Sequence, residues 1–78
     1  MNKKLTISLN EFNKIQKFNN VITKFESDID LVKGRYVVSA KSIMGIYSLD
    51  LSEPINVIIC SEDEEEIIRF NEAMKEFM

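Results

Sequence analysis

Histidine is missing from all 78 residues of this chain. Its absence removes the usual general base at neutral pH and the commonest metal ligand. A single cysteine, Cys60, excludes an internal disulfide and fits a reducing cytoplasm. One cysteine without histidine leaves no zinc site, and no residue pattern asks for a cofactor. No apolar run approaches the roughly 20 residues of a membrane span. The stretch MNKKLTISLNEF has two lysines but neither the apolar region nor the cleavage site of a secretory signal. A pI of about 4.9, with no basic stripe interleaved with aromatics, argues against direct nucleic-acid binding.

What is present suits one soluble domain over residues 1–78, with a small core burying roughly 60–65% of the unfolded chain's surface. The net charge of −3 hides an asymmetry. Residues 1–41 carry eight Lys/Arg against four Asp/Glu, and residues 42–78 carry two against nine. The halves are therefore +4 and −7, which is consistent with a bipolar surface.

Hydrophobic spacing divides the chain into seven elements. KKLTIS alternates with Leu5 and Ile7 on one side, the pattern of a half-buried strand. Ser8 to Glu11 fits a capping box, with Asn10 as a competing cap. A helix is expected over 12–25, because Ile15, Phe18, Ile22 and Phe25 recur at intervals of three and four. DIDLV and YVVSA read as a hairpin around Lys33-Gly34-Arg35, where glycine accepts the positive φ of a tight turn. A short helix follows from Ser42 to about Leu49. Pro54 opens the strand INVIIC, a position where proline is tolerated. The acidic run 62–66 starts a last helix, with Ile67, Phe70, Met74 and Phe77 inward and the carboxylates solvated near the positive dipole end.

The order β-α-β-β-α-β-α with one-sided strands indicates an α+β fold, an antiparallel sheet with helices on one face. The open face would carry Lys4, Thr6, Ser8, Asp28, Asp30, Ser39 and Asn56. Val32, Ile58 and Cys60 would make it partly apolar, which hints at a homodimer. Cys60 itself has no evident cation to make its thiol reactive.

Chemistry concentrates in KSIMG, residues 41–45. Ser42 suits a helix N-cap first, and a phosphate there would also be stabilised by the free N–H groups, with Lys41 as a nearby cation. Gly45 costs helix stability and implies close backbone approach. Ile43, Met44 and Tyr47 lie at helical spacings that make neighbours, as core packing or, as the family resemblance described next implies, as an exposed apolar docking surface, while Ile46 and Leu49 pack inward.

SDIDLV, the hairpin and AKSIMGIYSL together resemble HPr, the histidine-containing phosphocarrier family of the bacterial sugar phosphotransferase system. KSIMG is intact, and Ser48-Leu49 follows at the family spacing. The resemblance implies an open-faced sandwich of four antiparallel strands under three helices. It also implies protein partners: an HPr serine kinase, a transcriptional regulator or a phosphotransferase-system component. In many members that kinase modifies the KSIMG serine with ATP, and the product is a corepressor in catabolite repression. The family otherwise carries phosphate on a histidine in a GIHARP motif at the start of the first helix.

Here SLNEFNKIQ replaces that motif. Counting back from Lys24-Phe25, Glu11 stands at the histidine position and Asn13 at the arginine position, and the loop is shortened. Asp50 stands where the family usually has glycine. The expectation is a non-enzymatic regulatory module that binds proteins, unable to carry phosphohistidine and controlled at Ser42. The alternatives are an atypical phosphocarrier using another residue such as Glu11, and a dimeric structural or ligand-binding domain without phosphoryl chemistry. An acyl phosphate on Glu11 would need charge neutralisation by a metal or cations, but no arginine sits beside Glu11 and one carboxylate is no metal site.

Overall fold

A computed structural model of the protein describes residues 3–78. Its elements run β1 (Lys4–Ile7), α1 (Phe12–Ile22), β2 (Asp28–Lys33), β3 (Tyr36–Ser39), α2 (Ile43–Tyr47), β4 (Ile55–Cys60) and α3 (Glu64–Met74), with a 3-10 turn at Lys75–Phe77. The four strands form one antiparallel sheet in the order β1-β4-β2-β3. β4 therefore lies between the first and second strands, and β1 and β3 are the edges.

Strand alternation decides which face is covered. Leu5, Ile7, Ile29, Leu31, Ile55, Val57 and Ile59 are buried on the helix side. Ile15, Phe18 and Ile22 of α1 and Ile67, Phe70 and Met74 of α3 close over them. Phe18 meets Phe77 edge-to-face at 5.4 Å, and Phe25 meets Phe70 in the same manner at 6.3 Å. The opposite face is open. It carries Lys4, Thr6, Asp28, Asp30, Ser39 and Asn56, with Val32 and Ile58 half-buried and Cys60 exposed.

Two expectations about α1 change. The helix ends at Ile22 rather than residue 25, because Thr23, Lys24 and Phe25 close turns onto Asn19, Val21 and Ile22. Phe25 still reaches the core from beyond the helix end. No capping box forms at the start. Glu11 is the N-cap without any side-chain bond, and the Ser8 N–H instead donates to the Phe77 carbonyl at 2.7 Å. With Leu9 fully buried, the β1–α1 connection is drawn into the core and tied to the C-terminal turn.

The acidic run also divides. Asp63 caps α3 by accepting from the Glu65 N–H at 3.0 Å. Glu66 is not solvated but buried. It accepts from the Ser27 hydroxyl and the Glu26 N–H, fastening α3 to the loop before β2. The Ser27 hydrogen bond, more than any other cause, holds its carboxyl below the usual glutamate value, against the opposing effect of desolvation.

Candidate functional site

The junction from β3 into α2 is built by three serines. The Ser39 carbonyl accepts from the Ser42 N–H at 3.1 Å, and its hydroxyl from the Lys41 N–H at 3.3 Å. This ends the strand and turns the chain. Ser42 then sits at φ −96°, ψ 107°, the extended backbone of an N-cap, with Oγ accepting from the Gly45 N–H at 3.2 Å. Its carbonyl takes the Ile46 N–H at 3.0 Å. Ser48 closes the far end by donating its hydroxyl to the Gly45 carbonyl at 2.6 Å.

Gly45 is explained by space. A Cβ there would lie 3.3 Å from Val38 Cβ and 3.4 Å from Ser42 Oγ. Both neighbours belong to the site, so the glycine lets α2 press against β3 and keeps the cap hydroxyl close.

The docking residues divide by burial. Ile46 and Leu49 are in the core, as their spacing requires. Met44 is 79% exposed and Tyr47 45% exposed. Ile43 is half-buried and packs on the core, so it contributes only part of its surface. Ser42 is exposed at the head of this same helix. An accessible hydroxyl thus opens an element that turns Met44 and Tyr47 to solvent.

The Lys41 side chain is anchored away from its neighbour in sequence. Its ammonium donates to the Phe25 carbonyl at 2.7 Å, bracing the loop after α1. The sequence reading placed it by adjacency, and the carbonyl it meets is distant in the chain.

Glu11 and Asn13 are exposed at the start of α1. Among the described residues, neither makes a side-chain hydrogen bond or an ion pair. The carbonyl of Glu11 accepts the first helical bond from the Ile15 N–H at 3.1 Å. Lys14, one turn on in α1, is the cation nearest in sequence, and among the described residues no ion pair joins it to Glu11. Cys60 lies on the open face with its thiol pushed up, chiefly by desolvation and then by Asp30 and Asp28, away from the reactive thiolate.

A cleft of about 620 Å³ opens between the β2–β3 turn and the end of α2, with Arg35, Tyr36 and Asp50 in its walls. The Asp50 carboxyl is held low, first by the Ser52 hydroxyl, so it stays ionised. Among the described residues, no group of three or more Cys, Asp or Glu is placed to hold a metal, and no helix is long and apolar enough to cross a membrane.

Residues 12–78 match the family model for the PTS HPr component phosphorylation site. No curated protein matches by sequence. Among solved structures, HPr-C-His from Thermoanaerobacter tengcongensis is 28% identical with a TM-score of 0.72, covering 95% of this chain and 92% of that one. The Bacillus subtilis catabolite repression protein Crh, a domain-swapped intertwined dimer, is 31% identical with a TM-score of 0.64, covering 92% and 85%. The phosphocarrier HPr of Bacillus anthracis shares the fold at 23% identity and a TM-score of 0.74, over 99% and 100%.

Proposed function

The chain belongs to the HPr family of the sugar phosphotransferase system, and from that premise we propose that it is a regulatory protein-binding module without a carrier histidine. Ser42 is its phosphoacceptor, and the exposed side of α2 is its docking surface. One observation carries the reading: Ser42 is exposed at the head of a helix that turns Met44 and Tyr47 outward. In this reading Glu11 stands at the family's carrier position, and among the described residues its carboxylate has no ion pair.

Phosphorylation would proceed by attack of the Ser42 hydroxyl oxygen on the γ-phosphorus of ATP. The O–Pγ bond to ADP breaks as the ester bond forms, and the hydroxyl proton leaves to a base on the kinase. The phosphate then takes over the Gly45 N–H from Oγ. The new negative charge, on an exposed residue, would be open to a cationic partner surface. Met44 supplies adaptable apolar area beside it, and Tyr47 an amphipathic ring.

The test compares phosphorylation by an HPr serine kinase with ATP across the parent chain, Met44→Asp and Tyr47→Asp. Slower modification of both variants, with unfolding unchanged, is the expected result. Equal rates would remove α2 as the recognition surface. Enzyme I with labelled phosphoenolpyruvate should leave no protein-bound phosphate at acid or alkaline pH. Label on Glu11 would establish the phosphocarrier alternative instead.

A further inference from the structure

We propose that the β3 edge is a self-association surface, through which two copies of this chain join their sheets by antiparallel pairing about Val37. The two edges of the sheet are unlike. β1 bears Lys4, with Lys3 just before it, the kind of charge that keeps an edge from pairing. β3, Tyr36-Val37-Val38-Ser39, has no charge, proline or bulge. It leaves an apolar side chain exposed on each face, Tyr36 at 62% on the helix side and Val37 at 61% on the open side.

Hairpin phase shows which backbone groups face outward. Lys33 opposes Tyr36 across the turn, and the Ala40 N–H donates to the Ile29 carbonyl at 2.7 Å. Tyr36, Val38 and Ala40 therefore bond to β2, and Val37 and Ser39 point away from it. The Ser39 carbonyl is taken by Ser42, so the Val37 N–H and carbonyl form the exposed bonding pair.

Residues directly opposite in an antiparallel pair share a sheet face. A two-fold axis through Val37 satisfies this, and it lets the two Val37 residues exchange both hydrogen bonds. On the open face Val32 and Val37 then run on into the partner's Val37 and Val32. On the helix face Tyr36 covers the partner's Val38. Charge agrees as well. Arg35 is brought opposite the partner's Ser39, whose cross-strand neighbour is Asp30. Among the described residues, neither Arg35 nor Asp30 has an ion pair in the single chain. A second copy thus fits the edge in hydrogen bonding, apolar matching and charge.

Sedimentation equilibrium of the full chain tests this. The weight-average mass should rise with concentration from 9.1 kDa toward twice that value. Val37→Lys should hold it at the single-chain mass with an unchanged circular dichroism spectrum. Arg35→Asp should weaken association, and Asp30→Arg added to it should restore it. Should Val37→Lys fail to fold, the charge exchange between Arg35 in the turn and Asp30 on the open face of β2 decides. A parent that stays monomeric overturns the proposal and leaves the edge to an extended strand of another protein. A dimer that survives both Val37→Lys and Arg35→Asp also overturns it, since that contact lies elsewhere, as in a domain swap.

Discussion

Ser42 caps its helix through one hydrogen bond, and Gly45 is the residue that receives it. Removing the hydroxyl with Ser42→Ala should cost about 1 kcal/mol in urea unfolding, and Ser42→Asp should recover most of that. Gly45 sets helix propensity against space. Alanine would gain up to about 1 kcal/mol in an open helix. Here its Cβ meets Val38 at 3.3 Å. Gly45→Ala should therefore destabilise the parent yet stabilise a Val38→Gly background, which lacks the contacting Cβ, a sign reversal visible in a double-mutant cycle. Additive effects would mean that the contact is not what selects glycine. The cap was legible in the sequence because serine before a short apolar run has a local meaning. The Val38 contact was not, since it joins a strand to a helix and only the folded chain brings them together. Nor was the Lys41 hydrogen bond legible, since its carbonyl partner belongs to Phe25.

At the scale of elements, α3 shows where periodicity informs and where it stops. Ile67, Phe70, Met74 and Phe77 were legible as its buried side from spacing alone. Five adjacent acids look alike in sequence, yet Glu66 precedes Phe70 by one helical repeat and shares its inward side. That spacing was the signal available. Its partner Ser27 was not legible, because a hydrogen bond between distant segments leaves no local pattern. The Glu66 carboxyl lies lower in the folded chain than the ordinary 4.5. Its stabilisation is therefore complete above that value and is lost as pH falls through the folded one. Glu66→Gln should lower the urea midpoint at neutral pH and flatten its decline in acid. An identical acid slope in parent and variant would show that Glu66 does not anchor α3 to the loop. In α1 the spacing extended to Phe25, but the backbone left the helix at Ile22 while the ring kept its place in the core. Side-chain periodicity continued past the element that produced it.

The whole molecule was legible to the extent that strands alternate strictly. Alternation in β1, β2 and β4 fixed one covered face and one open face, and the resemblance around KSIMG supplied the topology. Val37 shares the open face with Ser39, two residues on, although YVVS is apolar on both sides and its composition alone marks neither face. The fold retains the family's sheet and helices while the β1–α1 connection is short and held by Leu9 and the Phe77 carbonyl. The proposed regulation by binding rests on the exposed side of α2. The most direct measurement is the intact mass of the chain after incubation with an HPr serine kinase and ATP, with Ser42→Ala alongside. The account predicts a gain of one phosphoryl group in the parent and none in the variant. An unmodified parent, or a variant that gains the same mass, would contradict it.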